Sequence, residues 1–264
     1  NSNMTFHFQM PIFLDIEGTI TDAAGRTMGR PLSRKLSEIE RSGMEVVLCS
    51  GRDLRYMMKA RERWGLPPLN GAIAENGCIV LPSGWKEKDA FVDPRVHSMD
   101  RHAIMRDLMD SGLGEIAEVD PDKRFIFSIY VKGYMIGKDY TQEEILELYG
   151  FVRDKVGDHD CQVIPTSASV EIIPTGVNKG TGIRVYCEKT GNRLSQSVFL
   201  CDSNNDIPGA ETVKKGGGKV YVVGNGVEPL KEMADYVAEN TYWEGTLEIL
   251  NTIGFEGSGD GVSP

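Results

Sequence analysis

No apolar run in this sequence approaches the roughly 18–20 residues that a membrane-spanning helix needs. Cysteine is scarce and unpatterned: Cys49, Cys78, Cys161, Cys187 and Cys201 are odd in number, scattered, and show no Cys-x-x-Cys spacing. That spacing excludes a disulfide-stapled framework and the common zinc and redox motifs, and predicts reduced thiols in a cytoplasmic protein. The four histidines (His7, His97, His102 and His159) have no metal-ligand spacing either, so surface positions are expected for them. Basic charge is in deficit, with 29 Lys and Arg against 39 Asp and Glu, a net charge of −10. The deficit argues against a sequence-independent nucleic-acid binder and against an electrostatic membrane anchor. A small anionic ligand stays open, because a bound cation or a local field can override net charge. Residues 1–9 lack a basic segment followed by an apolar one, so no secretory signal is expected there. The segment 256–264, EGSGDGVSP, reads as a disordered tail.

What is present is an ordinary globular composition, 40% hydrophobic and 26% charged over 264 residues. It suits one large domain or a domain carrying an inserted second one. Apolar runs at 11–15, 44–49, 72–74, 197–201 and 219–223 read as strands buried on both faces. Helical spacing at Leu32, Leu36 and Ile39, a helix from Asp53 to about Trp64 stopped by Gly65, and helices at 179–188, 229–234 and 245–253 alternate with them. Tyr236-Val237 is a candidate last strand. The expected fold class is therefore α/β, a doubly wound parallel-sheet core. Between 82 and 174 the rhythm changes to helix 101–111, strand 125–132, helix 142–155 and strands 161–165 and 169–173. The strands FIFSIYV and SVEIIP alternate more, which predicts an inserted α+β domain with one sheet face covered by helices. The expected division is a core of 10–81 and 175–254, a cap of 82–174, and tails of 1–9 and 255–264.

Open parallel sheets bind ligands beyond the carboxyl ends of their strands. Three strand ends here carry unusual polar groups: Asp15-x-Glu17-Gly18-Thr19, Ser50-Gly51-Arg52 and Asp202-x-x-Asn205-Asp206, with Lys179 opening a helix after the insertion. Each alone is compatible with a helix cap or a solvated turn. Converging carboxylates of Asp15, Asp202 and Asp206 would repel one another unless a cation sits between them, and hard oxygen donors suit magnesium. Ser50 and the Gly51 amide add donors and Lys179 adds a positive charge, the set a phosphate dianion needs. Asp15 could then act as a nucleophile, and Glu17 could protonate a leaving alcohol and deprotonate the attacking water.

These four ordered segments resemble the motifs of haloacid dehalogenase superfamily phosphatases. Glu75-Asn76-Gly77 and the run VEIIPTGVNK from Val170 to Lys179 resemble the Cof-type branch, which carries a large α/β cap between its second and third motifs. The resemblance implies that Asp15 is the nucleophile and a magnesium ligand. It implies that Glu17 is the acid/base with its backbone carbonyl on the metal, and that Thr19 supports the first motif. It implies phosphate binding by Ser50 and Lys179, direct metal ligation by Asp202, and positioning of phosphate or metal-bound water by Asn205 and Asp206. Arg52 either accompanies the second motif or is structural.

Two positions depart from the family pattern. The acid/base is usually Asp, and the extra methylene of Glu17 moves its carboxyl by about 1 Å. The fourth motif usually has Gly where Cys201 stands. A small buried thiol is expected there over a reactive one.

The expected function is magnesium-dependent hydrolysis of a small phosphorylated metabolite, of the sugar phosphate or phosphoglycolate type, without nucleic-acid or membrane partners. The alternatives are a non-catalytic phosphometabolite binder, motivated by Glu17, and a phosphomutase or phosphotransferase. A phosphoryl-receiving signalling domain is disfavoured, because Ser50 and not an aspartate ends the second main strand and the long insertion would have no role. Lys214 to Lys219 reads as a flexible loop, since it lacks the order of a phosphate-binding loop. Met57, Met58 and Trp64 are expected in the core. Trp85 and Tyr134 are aromatics of the insertion without an assigned role.

Overall fold

A computed structural model describes residues 10–66 and 71–253. The tail expected at 256–264 and the segment 1–9 lie outside the described residues. The first part of the chain forms β1 (Pro11–Leu14), α1 (Arg30–Arg41), β2 (Glu45–Cys49), α2 (Leu54–Trp64), β3 (Ala72–Ala74), β4 (Ile79–Leu81) and β5 (Phe91–Val92). The middle forms α3 (Arg101–Asp110), α4 (Leu113–Ile116), β6 (Ala117–Val119), β7 (Phe127–Val131), α5 (Gln142–Val156), β8 (Cys161–Pro165) and β9 (Val170–Pro174). The last part forms α6 (Lys179–Thr190), β10 (Val198–Cys201), α7 (Ile207–Lys215), β11 (Lys219–Val222), α8 (Glu228–Met233), β12 (Tyr236–Val237) and α9 (Tyr242–Ile253).

The larger sheet runs β12-β11-β10-β1-β2-β3-β4-β5, parallel from β12 to β3 and antiparallel across β4 and β5. Its central strands are buried on both faces, which is why they read as unbroken apolar runs. One face packs Ile183, Tyr186, Ala210 and Val213 of α6 and α7 against Phe13, Val47 and Phe199. The other packs Leu32, Leu36, Met57 and Ile249 against Ile12, Leu14 and Leu200. From β1 the chain winds one way through β2 and later returns to β10 on the other side. The carboxyl ends of β1 and β10 therefore form the crevice where such sheets bind ligands.

The smaller sheet, β6-β7-β9-β8, is antiparallel throughout. The alternation expected for its strands has a clear purpose. Phe127, Ile129, Val170 and Ile172 face α3 and α5 in a separate apolar cluster. Ser128, Tyr130 and Glu171, the intervening residues, line the cleft above the larger sheet. Successive side chains on a strand point to opposite faces, so one pair of strands builds both surfaces.

Several expectations need correction. The larger sheet continues through β5 to Val92, beyond the boundary expected at 82, because β4 and β5 add antiparallel to its edge. Strand β7 begins at Phe127 and not at 125, because the amides of Phe125 and Ile126 are bonded to the Glu75 carboxylate. Lys214 and Lys215 are not loop residues but the last turn of α7, with Lys214 Nζ donating to Met233 O at 2.7 Å. Met58 is 44% exposed while Met57 is fully buried, since adjacent positions on a helix lie about 100° apart. Helix α2 does end as expected, with Gly65 in the left-handed conformation. No helix among the described residues is long and apolar enough to cross a membrane.

Candidate active site

Two expected site carboxylates, Asp15 and Asp206, meet on one lysine. Lys179 Nζ donates to Asp15 Oδ1 at 2.8 Å and to Asp206 Oδ1 at 2.6 Å, and its side chain is fully buried. Asn178 caps α6 in a reciprocal box with Thr181, which fixes Lys179 as the first residue of the helix. A cation at that end opposes the helix dipole. The two carboxylates offset this cost. The other oxygen of Asp206 accepts the N–H groups of Asp202 and Ser203 at 3.1 and 3.0 Å, which locks the turn after β10. Thr19 Oγ1 donates to Asp202 Oδ1 at 3.0 Å across the β1–β10 crevice. Gly18 has φ +80°, and a Cβ there would overlap the Asp202 carboxylate. The glycine of the first motif is thus what lets the two strand ends close up.

Asp15, Asp202 and Asp206 are all buried, and one oxygen from each lies within 4.8 Å of the others. Three buried carboxylates share one ammonium, so two negative charges lack a counter-charge. Burial, and then the neighbouring Asp206, hold the Asp15 carboxyl well above its ordinary value and push Asp202 up to about 7. Burial opposes the Lys179 charge, but Asp15 and Asp206 outweigh it and keep the ammonium firmly protonated. A compact all-oxygen set with excess negative charge fits a hard divalent cation such as magnesium.

Glu17 and Ser50 join a second group. Arg52 Nε is bonded to Glu17 Oε1, and Ser50 Oγ lies 3.4 Å from Glu17 Oε2. Burial would raise the Glu17 value, but the Arg52 guanidinium outweighs it and lowers it. Arg52 is held in turn over the rings of Tyr56 and Tyr130, and its Nη2 donates to Tyr134 Oη at 3.1 Å. Arg52 thus joins Glu17 to Tyr134, which belongs to the smaller sheet's domain. Trp85 does not line the cleft.

Asn205 reaches a third group. Its Nδ2 donates to Asn76 Oδ1 at 3.1 Å, and Asn76 Nδ2 is bonded to Glu171 Oε2. A Cβ on Gly51 would overlap the Glu171 carboxylate as it stands, so the two domains approach most closely at this glycine's bare backbone. Asn205 Oδ1 is buried without a partner among the described residues, an acceptor facing the site. Cys201 is fully buried, and burial holds its thiol well above the ordinary value, which is the inert state expected of it. His97 and His102 are exposed as expected, while His159 is half-buried and bonded to Asp107 at 2.6 Å. His7 lies outside the described residues.

The three groups meet at a narrow, nearly closed cleft between the sheets, with a cavity volume of about 10 Å³. Its floor includes Asp15, Glu17 and Asn205, and its roof includes Ser128, Ser169 and Lys123. Lys123, Asn76 and Glu171 were not singled out as site residues by sequence reasoning. Asn76 and Glu171 fall inside segments that carried the resemblance. Lys123 sits in an unremarkable polar turn and gave no signal.

A family model described as haloacid dehalogenase-like hydrolase matches residues 12–129 and 120–250. Among curated proteins, a phosphoglycolate phosphatase from Methanosarcina acetivorans is 30% identical over 247 residues, covering 90% of this chain and 94% of that protein. One from Methanothermobacter thermautotrophicus is 25% identical over 242 residues, covering 90% and 96%. Among solved structures, a Thermoplasma acidophilum protein superposes with a TM-score of 0.68 at 15% identity, covering 93% of this chain and 98% of that one. The sucrose-phosphatase of Synechocystis, solved with sucrose and phosphate, superposes with a TM-score of 0.64 at 16% identity, covering 92% and 97%. Matched along nearly its whole described length, this chain belongs to the haloacid dehalogenase-like hydrolase family.

Proposed function

We propose that this protein is a magnesium-dependent phosphatase that hydrolyses a small phosphorylated metabolite through an aspartyl-phosphate on Asp15. The observation that carries this reading is the buried cluster of Asp15, Asp202 and Asp206, two of them paired with Lys179, at the carboxyl ends of β1 and β10, with Asp15 lining the cleft. Asp15 and Asp202, with Asp206 and the Glu17 carbonyl beside them, would hold the metal. Bound there, it would neutralise the charge that gathers on the transferring phosphoryl group.

In the first step an Asp15 oxygen bonds to phosphorus as the ester oxygen leaves and takes up a proton. In the second a water oxygen attacks phosphorus, the Asp15 bond to phosphorus breaks, and phosphate departs. Lys179 orients the Asp15 carboxylate and neutralises charge, while Ser50 and the Gly51 amide serve the phosphoryl oxygens. Arg52 keeps Glu17 ionised, which suits removal of a proton from water in the second step. Protonating the leaving oxygen requires Glu17 to part from Arg52, and the Arg52–Glu17 pair is therefore also the observation that favours the second reading, a phosphometabolite binder without turnover.

Phosphate release from a panel of phosphoglycolate, sugar phosphates and nucleotides, with magnesium and with chelator, tests the proposal. Magnesium-dependent turnover of a small ester is expected. Binding without turnover, with activity appearing in Glu17→Asp, would establish the second reading instead.

A further inference from the structure

We infer that Glu171, on the smaller sheet's domain, is a built-in competitor of the phosphoryl group. Its carboxylate closes the empty site, gives way when a phosphate ester enters, and expels inorganic phosphate as it returns. The inference rests on the phosphoester reading of the site given above.

Glu171 lies in the middle of β9, paired with Ser128 of β7 on one side and Ile164 of β8 on the other. It lines the cleft and is 5% exposed. Its side chain crosses to the larger sheet's domain at the segment expected to bind phosphate. Oε1 lies against Gly51, where a Cβ would overlap it, and Oε2 is bonded to the Asn76 amide. Asn76 is fixed beside the same segment. Its N–H donates to Ser50 O at 3.0 Å, and its Oδ1 accepts from Asn205 Nδ2 at 3.1 Å. An oxygen of Glu171 thus rests against Ser50-Gly51, the segment whose hydroxyl and amide serve the phosphoryl oxygens in the reading above.

The charges around Glu171 favour the same exchange. Burial raises its carboxyl above the ordinary value, while Lys123 and then Lys179 act against burial and favour the anion. Both ammonium groups are paired elsewhere, Lys123 with Asp120 at 3.8 Å and Lys179 with Asp15 and Asp206. Glu171 is left with an amide as its close partner, and a buried anion so placed is held at a cost. The field of Lys123 and Lys179 that draws in this carboxylate is the one a phosphate dianion would use. Two anions that close repel each other, so they occupy the place in turn.

Space points to the same residue. A cavity of about 10 Å³ has room for about one water and none for a phosphoryl group, so a wall group must yield. On the floor, Asp15, Lys179 and Asp206 hold one another. On the roof, Lys123 is a cation and attracts the incoming charge. Glu171 is the one carboxylate among the described residues of the roof, and the incoming charge repels it.

The test is calorimetric titration of inorganic phosphate, in magnesium, into the protein and into Glu171→Gln. Glutamine keeps the size of the side chain and an oxygen for Asn76, and removes the charge. Glu171→Gln should bind phosphate about 10-fold more tightly or more, the scale of one like charge a few ångströms away. Equal or weaker binding by the variant would overturn the inference. Binding by neither protein would sink the phosphoester reading and this inference with it, so the two failures read differently. A crystal structure of the unaltered protein with magnesium and phosphate needs no substitution and decides the matter if Glu171→Gln does not fold. Phosphate on Ser50 and Gly51 should appear with Glu171 withdrawn from Gly51 and Asn76. Phosphate seated there with Glu171 unmoved would overturn the inference.

Discussion

Arg52 and Glu17 form an ion pair sealed between the two sheets, with side-chain exposures of 10% and 14%. Removing one partner of such a pair leaves the other charged and without compensation. Arg52→Met should therefore destabilise the protein by about 3–5 kcal/mol in urea unfolding. The double variant Arg52→Met, Glu17→Gln should recover much of that loss. Equal unfolding of single and double variants would mean that the pair is not what Arg52 contributes.

Asp15→Asn keeps the shape of the side chain and an oxygen for Lys179 to bond, so the fold should persist. Phosphate release should fall by at least about 10³-fold, the scale seen when a group acting in the bond-forming step is removed. A colorimetric phosphate assay beside a thermal melt checks both halves. Retained turnover would remove Asp15 as the nucleophile.

The core strands could be read from sequence because strands buried on both faces leave continuous apolar runs, and PIFL and VFLC are such runs. The strands β7 and β9 showed their alternation for the complementary reason, one dry face and one lining a cleft. Strands β4, β5 and β6 span three residues or fewer, too short to display a period. Helix α7 was hidden by Ile207-Pro208-Gly209, which looks like a break. Proline is in fact favoured in a first turn, and Gly209 lies where a Cβ would crowd the Phe199 ring. At the site, carboxylates ending strands were legible because strand ends converge by topology. The contacts of Lys123 with Gly51, and of Asn76 with Glu171, were not. They join residues far apart in sequence across two domains, and nothing local announces them.

Glu75 holds three consecutive amides of the segment before β7 on one oxygen. Glu75→Ala would leave those amides without their acceptor, at a cost of about 1–3 kcal/mol for each one kept from water. Hydrogen exchange should accelerate at Arg124, Phe125 and Ile126 and stay unchanged in β10. Unchanged exchange at the three amides would show that Glu75 does not anchor the segment.

Glu40 on α1 is half-buried, and burial, followed by repulsion from Glu45, raises its carboxyl from 4.5 to about 7. The folded protein thus keeps a proton that the unfolded chain releases between those values, so this group's contribution to stability falls as pH rises through that window. Glu40→Gln should raise stability at pH 8 and leave it unchanged at pH 4, as read by urea midpoints. A gain of equal size at both pH values would point to packing and not to ionisation.

The alternating strands β7 and β9 keep two tasks apart on one backbone. Positions 127, 129, 170 and 172 hold the domain together, while 128, 130 and 171 face the ligand space. A change at the second set leaves the first untouched. This arrangement lets a lineage, or an engineer, retune which molecule is accepted without renegotiating whether the cap folds.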